Sequence, residues 1–261
     1  MTDRLDRAMA SRGLAASRER AQGLIEAGMV LVDGSPAEKA SQRVEESTEI
    51  AVTGEALPYV GRGGPKMEAA LRKFRVNVRD LNCLDVGAST GGFTDCLLQR
   101  GAAKVVAIDV GHGQLAAALA ANPRIELREG VNARYLLPVQ FDQPFDLAVV
   151  DVSFISLTLV LPAIVRLIRP GGHILALVKP EFEAGRAAVG PRGIVRSAAA
   201  RLKALEKVSK FAGAELGLDV RGSVPSLFGG GGNKEYFLYL RRAVEVTTTL
   251  ATHPNNPADC E

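Results

Sequence analysis

The sequence contains little cysteine. Three cysteines occur in 261 residues, at positions 83, 96 and 260, and no two of them form a C-x-x-C pair. Because their number is odd and their spacing wide, neither a zinc site nor a disulfide framework is expected. This usage is typical of a protein in a reducing compartment, and we expect no bound metal.

Long apolar segments are absent as well. The longest apolar stretch, 154–168, is interrupted by polar residues and is shorter than the roughly 20 residues of a membrane-spanning helix. The first seven residues are largely charged and contain no apolar signal core. We therefore predict a cytoplasmic protein that has no membrane partner.

The chain also lacks a large net charge. Its 32 Lys and Arg residues against 29 Asp and Glu leave a formal charge of +3, which excludes indiscriminate coating of nucleic acid. Hydrophobic residues make up 47%, enough to build a core. The length fits one large domain or two unequal ones.

Short apolar runs alternate with helical segments between residues 82 and 240. The runs are 83–86, 104–109, 125–129, 147–151, 173–178, 218–224 and 236–240. Strands that alternate with helices indicate a parallel sheet with helices on both faces. We predict an α/β, Rossmann-like fold whose sheet has seven mostly parallel strands, with the last run as an edge strand.

The N-terminal residues predict a separate, small α+β module. Ser17 is a good N-cap for a helix, and Asp33-Gly34 is typical of a hairpin turn. A Gly- and Pro-rich linker follows, then a helix from about Lys66 to Phe74, and the C-terminal residues lack apolar periodicity. We divide the chain into a module at 1–57, a linker at 58–66, a large domain at 67–243 and a disordered tail at 244–261.

A glycine-rich turn follows the first strand of the large domain. The segment 85–93 reads Asp-Val-Gly-Ala-Ser-Thr-Gly-Gly-Phe, and Asp109 ends the next strand, 22 residues beyond Gly87. Such a turn lets a ligand approach the backbone beside a helix N-terminus, and an acid at this distance binds ribose hydroxyls. The candidate cofactor-binding residues are Asp85, Gly87, Ser89, Gly91, Gly92, Phe93, Asp109 and Asp151.

Four interpretations of this turn compete. A dinucleotide fingerprint requires glycine where Ser89 stands, and a G-x-S-x-G nucleophile elbow requires a later histidine that the sequence does not place suitably. A tight turn without a ligand is the third interpretation. We favour the fourth, a site for S-adenosylmethionine, because Asp-x-Gly-x-x-x-Gly after the first strand resembles the methyltransferase version of the fold.

Four charged residues stand where charge is unexpected. Asp151 and Lys179 each end an apolar run, so both are expected at the carboxyl ends of central strands, where open α/β sheets bind ligands. Lys66 follows the linker, and Glu235 opens the last strand. A lysine acts as a base where its surroundings lower its pKa, which a second lysine favours and a carboxylate opposes.

In chain order, Lys66, Asp151, Lys179 and Glu235 resemble the K-D-K-E tetrad of FtsJ-like ribose 2′-O-methyltransferases. The resemblance implies a general base at Lys179 and an orienting carboxylate at Asp151 that also favours the cofactor sulfonium. It implies that Lys66 and Glu235 hold the ribose hydroxyl and the other lysine in line.

The N-terminal module resembles an RNA-binding domain. Its pattern, from Arg4-Leu5-Asp6 through Ser17-Arg18 to Asp33-Gly34, is similar to the alpha-L motif of the ribosomal protein S-four type. Bases concentrate at 4–20 and 62–79, whereas acids concentrate at 33–55, which fits either a face that contacts phosphates or a solvated helix surface. The resemblance favours the phosphate-binding face. The RNA-binding candidates are Arg4, Arg7, Arg18, Arg20 and Arg62.

Together, the two domains resemble the TlyA (hemolysin A) family over residues 3–242. Glu181 stands where that family more often has glutamine. The resemblance implies methylation of cytidine 2′-hydroxyls in ribosomal RNA, with ribosomal RNA or ribosomal subunits as partners and no obligate protein partner. The alternatives are a membrane-damaging hemolysin and an RNA-binding protein whose methyltransferase domain is inactive.

Overall fold

A computed structural model describes residues 2–26, 29–37, 39–52, 59–61, 63–227 and 233–244. Its N-terminal part is a small module of two helices and five short strands. These are β1 (Thr2–Arg4), α1 (Leu5–Ser11), α2 (Arg18–Glu26), β2 (Val30–Val32), β3 (Ser35–Pro36), β4 (Arg43–Glu45) and β5 (Ile50–Val52).

Local sequence signals explain most of this module. The backbone N–H of Arg20 donates to Ser17 Oγ at 3.1 Å, as expected of an N-cap residue at the start of α2. Asp33 and Gly34 both adopt positive φ, at 49° and 77°, which is the conformation of the tight turn that joins β2 to β3. Strands β1 and β4 form an additional antiparallel pair that the sequence did not predict.

A buried carboxylate organises the start of the module. The side chain of Asp6 is fully buried and accepts hydrogen bonds from Arg4 Nε at 2.9 Å and Arg18 Nε at 3.0 Å. Gln22 Nε2 donates to the same carboxylate at 2.6 Å, and the backbone N–H of Arg7 donates to it at 3.0 Å. The Arg4 hydrogen bond is the main reason that the pKa of Asp6 lies well below its usual range.

Replacing Asp6 by alanine is expected to destabilise the module by about 3 kcal/mol, near the lower end for breaking a buried pair because both arginines are partly exposed. Urea unfolding of the full chain, followed by hydrogen exchange within 2–52, measures this change. Asp6→Asn keeps the shape and loses the charge, so it is expected to fall between parent and alanine. Equal stability of all three proteins would contradict the assignment.

The pH dependence of the module follows from the same carboxylate. Because the folded pKa of Asp6 is lowered, its stabilisation is present above its unfolded value of about 3.9 and is lost as the pH falls below that value. Asp6→Asn is expected to make the free energy of unfolding less dependent on pH in this acid range.

The second part of the chain is a seven-stranded sheet with helices on both faces. Its elements are α3 (Gly63–Phe74), β6 (Asn82–Val86), α4 (Gly92–Gln99), β7 (Lys104–Ile108), α5 (Ala117–Ala120), β8 (Ile125–Arg128), β9 (Phe145–Val150), α6 (Leu157–Leu167), β10 (Ile168–Val178), α7 (Pro180–Glu183), α8 (Ala198–Ala214), β11 (Leu218–Pro225) and β12 (Tyr236–Arg242). The strand order is β11-β12-β10-β9-β6-β7-β8, and only β12 runs antiparallel to its neighbours. The predicted fold class is confirmed.

Two predictions about this part were wrong in detail. The last strand is not an edge strand, because β12 lies between β10 and β11, and β11 forms the edge. The helix before the sheet begins at Gly63 rather than near Lys66. Pro65 does not stop it, since proline is tolerated within the first turn of a helix, where its missing N–H has no intrahelical partner.

Alternating strand residues build two separate cores. On one face, Leu84, Ala148 and Ile174 pack with the apolar sides of α6 and α8. On the other, Cys83, Leu147 and Leu175 pack with α3 and α4. A sheet buried on both faces requires nearly continuous apolar strands, which is why a polar residue at a strand end is informative here. Within the described ranges, no helix has both the length and the apolar composition needed to cross a membrane.

Candidate active site

Strand ends place the candidate residues along one edge of the sheet. Val86 pairs with Ile108 on one side and with Val150 on the other, so Gly87, Asp109 and Asp151 follow three adjacent strands. Ligands of open α/β sheets bind at this carboxyl edge. The geometry therefore groups the predicted turn with two of the predicted carboxylates.

The glycine-rich turn depends on close backbone approach. Gly87 has φ 86°, and a Cβ added to it would lie 2.1 Å from the backbone oxygen of Asp151. Gly91 has φ 93°, and a Cβ there would lie 2.5 Å from a methyl carbon of Leu119. Both positions require glycine, because an L side chain is strained at these angles and the space is already filled.

Three carboxylates surround this turn. Asp109 Oδ2 accepts a hydrogen bond from the backbone N–H of Ser89 at 2.8 Å, and its Oδ1 accepts one from Gly111 at 2.7 Å. Asp85 is fully buried, and Thr94 Oγ1 donates to its Oδ2 at 2.6 Å. Burial, together with the charges of Asp151 and Asp109, raises the pKa of Asp85 to about 7, although the hydrogen bond from Thr94 opposes the shift. The turn is thus a region of concentrated negative charge.

The tetrad predicted from the sequence forms two ion pairs. Lys179 Nζ lies 2.5 Å from Asp151 Oδ1, and Lys66 Nζ lies 2.7 Å from Glu235 Oε2. Val178 pairs with Tyr236 across β10 and β12, which places Lys179 and Glu235 at the ends of adjacent strands. The Lys66–Glu235 pair is largely buried, since the side chain of Lys66 is 11% exposed and that of Glu235 is 1% exposed.

Two further polar residues adjoin the tetrad that the sequence had not singled out for a role. Ser153 Oγ accepts a hydrogen bond from Lys179 Nζ at 2.9 Å, so the ammonium group has two protein partners. The carboxyl group of Glu181 interacts electrostatically with both Glu235 and Lys179, and burial raises its pKa. Glu181 is therefore close enough to interact with one member of each ion pair.

Phe154 is an unusual residue beside this site. It stands three positions after Asp151, adopts φ 65° and is 92% exposed. Its ring centroid lies 5.3 Å from that of Phe182, which stands three positions after Lys179. A bulky residue rarely adopts positive φ, and an exposed aromatic ring gains nothing from the core. The pair presents an aromatic surface next to the catalytic candidates.

Residues of the predicted linker contact the turn and the module. The backbone N–H of Val60 donates to Asp95 Oδ2 at 2.8 Å, and a Cβ on Gly61 would lie 2.8 Å from Thr90 Oγ1. On the other side, Arg20 Nη1 donates to the Tyr59 backbone oxygen at 2.6 Å. Tyr59 and Val60, at the start of the predicted linker, are thus hydrogen-bonded to the module and to α4.

The part of the chain that contains the turn, the carboxylates and the lysines matches a known family. The model of the FtsJ-like methyltransferase matches residues 59–242, which is more than half of the chain. The chain belongs to the FtsJ-like methyltransferase family. In addition, the model of the S4 domain matches residues 3–50.

Several known proteins are similar to this FtsJ-like chain over most of its length. The "16S/23S rRNA (cytidine-2'-O)-methyltransferase TlyA" of Mycobacterium tuberculosis is 47% identical over 240 residues, covering 91% of this chain and 89% of the relative. "Hemolysin A" of Brachyspira hyodysenteriae is 38% identical over 239 residues, covering 90% and 98%. A solved structure described as "Putative hemolysin from Streptococcus thermophilus" is 42% identical, with a TM-score of 0.73 and coverage of 95% and 92%.

One of the predicted cofactor-binding residues of the FtsJ-like domain has its side chain in the core, and its part in cofactor binding stays a prediction. Phe93 is buried in the core, where its ring centroid lies 5.9 Å from that of Phe237. A Cβ on Gly63 would lie 3.0 Å from this ring, so Phe93 also packs against the start of α3. Helix α4 directs the Phe93 ring into the core beside the sheet, where the ring supports the glycine-rich turn.

The arginines predicted to bind RNA differ in their surroundings within the S4 domain. Arg7 is exposed, whereas Arg4 and Arg18 are held by Asp6 with part of each guanidinium left accessible. Arg20 is bound to the Tyr59 carbonyl. Arg62 lies outside the described residues. The part played by these arginines in RNA binding stays a prediction.

Proposed function

We propose that this protein transfers a methyl group from S-adenosylmethionine to a ribose 2′-hydroxyl of cytidine in ribosomal RNA. The observation that carries the proposal is the pair of lysine–carboxylate contacts at the carboxyl edge of the sheet, beside a turn lined by three carboxylates. The name of the tuberculosis relative supports the cytidine ribose as substrate, and the S4 match supports an RNA partner.

The turn fits a cationic adenosyl cofactor. The charges of Asp151 and Asp109 raise the pKa of Asp85, and a ligand that carries a sulfonium and an ammonium group would relieve that repulsion. Gly87 leaves no room for a side chain, so the ligand would meet backbone at the start of α4. In this arrangement Asp109 would receive the ribose hydroxyls of the cofactor.

The lysine pair fits the chemistry of the acceptor. A ribose hydroxyl is a poor nucleophile, and it loses its proton as its oxygen bonds to the methyl carbon. S-adenosylmethionine supplies that methyl group on a positively charged sulfur, which departs as a neutral thioether. Asp151 and Ser153 each hold one side of the Lys179 amine. The third side of the amine is left to face the substrate, and the hydroxyl proton passes to Lys179 Nζ.

The second pair fits a positioning role. Glu235 holds Lys66 at 2.7 Å in a largely buried position, so the Lys66 ammonium cannot swing into solvent. A fixed ammonium beside Lys179 stabilises negative charge on the acceptor oxygen as the proton departs.

Methyl transfer to purified ribosomal subunits tests the proposal. The protein is incubated with methyl-labelled S-adenosylmethionine and each subunit, and the RNA is digested to nucleosides. We expect label in 2′-O-methylcytidine only when the protein is present. Label on a base, or no label in RNA from any subunit, would show that the proposal is wrong.

Replacing Phe154 by alanine is expected to weaken methyl transfer about tenfold, mainly through a higher KM for RNA. The physical reason is that an exposed ring beside the tetrad is suited to stack on a nucleobase, and such stacking is worth about 1–3 kcal/mol per base. Leu202→Ala is the matched control, because it removes an exposed apolar side chain from α8. Equal effects of the two substitutions, or weaker cofactor binding by Phe154→Ala, would rule out this role.

A further inference from the structure

Exposed cations gather where α3 ends. Arg72, Lys73 and Arg75 lie at the end of the helix, Arg79 lies in the following loop, and Arg100 follows α4. Four of them, all arginines, line an open depression of about 460 Å³. We call these five residues the α3 cation cluster. With Glu68 and Asp80 as the neighbouring carboxylates, the cluster has a local charge of +3, equal to the formal charge of the whole chain.

The cluster divides into anchored and available cations. Glu68 binds both Arg72, at 3.1 Å, and Arg100, so these two guanidiniums are partly neutralised. The side chains of Lys73, Arg75 and Arg79 make no hydrogen bond or ion pair within the described ranges. Three exposed cations that no protein carboxylate holds are suited to an external anion.

Arg75 occupies a backbone position that ordinarily suits glycine. It follows the last residue of α3 and has φ 56°, the left-handed conformation that ends many helices at a glycine. An arginine at this position carries a conformational cost of roughly 1 kcal/mol, which a glycine would avoid. The helix dipole offsets part of this cost for a cation at the end of α3, and binding of an external anion would account for keeping a charge here.

The cluster leads to the active site along α3. Lys66, Ala70 and Lys73 lie on one side of the helix. Together with Phe237 they line a mostly apolar cavity of about 440 Å³. Seven residues of helix separate Lys66 from Lys73 by about 10 Å. An extended polyanion whose sugar lies at Lys66 would reach Lys73 and then the arginines.

We propose that the α3 cation cluster binds the phosphate backbone of the RNA whose ribose is methylated, as a second contact surface in addition to the S4 domain. This inference rests on the proposed function. Guanidiniums dominate the cluster, and their fork of donors matches phosphate oxygens better than an ammonium does. The continuity with Lys66 favours RNA over a membrane of anionic lipid, which would need no path into the catalytic site.

The test uses the full chain with three substitutions, Lys73→Gln, Arg75→Gly and Arg79→Gln. Binding to ribosomal subunits, and the KM and kcat of methyl transfer, are measured between 50 and 200 mM salt. A matched triple control, Arg166→Gln, Lys203→Gln and Lys210→Gln, removes the same charge from exposed positions of α6 and α8, which pack on the opposite face of the sheet.

We expect the cluster variant to bind RNA about 10- to 100-fold more weakly at 100 mM salt, and the slope of log K against log salt to fall by about 2. The KM for RNA rises while kcat at saturation stays near that of the parent. Thermal stability stays equal or rises, because Arg75→Gly relieves the backbone. Returning lysine at positions 75 and 79 is expected to restore most of the affinity.

Several results would overturn the inference. These are an unchanged salt slope, an equal loss in the control triple, and a loss of binding to phosphatidylglycerol vesicles while RNA binding is unchanged. The proposed function fails separately: if the parent binds RNA but adds no methyl group to ribose, RNA binding by the two triples still decides the role of the cluster.

Discussion

Replacing Lys179 by alanine is expected to lower the rate of methyl transfer by about 10²–10⁴-fold, the usual contribution of a general base. Lys179 Nζ lies 2.5 Å from Asp151 Oδ1 and 2.9 Å from Ser153 Oγ. Within the described residues, no other lysine amine makes both of these contacts. Single-turnover transfer of label to ribosomal subunits measures the effect on the chemical step. Calorimetry with the cofactor is expected to show binding within a few-fold of the parent.

Two companion variants separate the role as a base from the role of a charge. Lys179→Arg keeps a positive charge, but a guanidinium does not give up its proton, so it is expected to be as inactive as alanine. Lys207→Ala removes another lysine that is paired with a carboxylate, Glu183 at 3.3 Å, outside the tetrad, and is expected to remain active. Substantial activity in Lys179→Arg would reduce Lys179 to a positioning charge.

Strand ends explain why much of the site could be predicted from the sequence. Asp151 and Lys179 interrupt apolar runs, and in a sheet buried on both faces a charge is tolerated only where the strand leaves the core. Strand positions followed from the same runs: six strands lie within two residues of them, whereas β10 begins five residues before its predicted run, at Ile168. The charged residues that interrupt the apolar runs thus indicated where the strands end, and the candidate site lies at those strand ends.

Features that depend on distant pairing do not follow from local patterns in the sequence, and only the resemblance grouped Lys66 with Glu235. Lys66 and Glu235 are separated by 169 positions, and their contact exists only because β12 inserts between β10 and β11. The alternation of residues in β12 is the same for an edge strand and an internal antiparallel strand. Nothing local in the sequence distinguishes the two, so the edge position was predicted wrongly.

Backbone conformation at non-glycine residues was equally inaccessible. Phe154 and Arg75 both adopt positive φ, which their residue types disfavour. In each case the surrounding fold imposes the conformation, at the exit of β9 and at the end of α3. Such positions are found from a structure and then point to function, because local propensity alone argues against them.

Replacing Gly87 by alanine is expected to abolish cofactor binding and to lower the free energy of unfolding by about 2–5 kcal/mol, the sum of backbone strain and overpacking. Gly87 has φ 86°, and the new methyl carbon would lie 2.1 Å from the backbone oxygen of Asp151. To remove this clash β6 and β9 must separate, which moves the turn away from the carboxylates. Urea unfolding and calorimetry with the cofactor measure the two effects.

A second glycine separates the clash from the strain. Gly217 has φ 62°, but a Cβ there would meet no atom within 4 Å, so Gly217→Ala carries the conformational cost without the collision. It is expected to lose about 1 kcal/mol of stability and to retain cofactor binding. The difference between the two variants is then the contribution of the contact between the turn and β9. Equal losses would mean that the Gly87 position is set by φ alone, and that close packing against Asp151 does not shape the site.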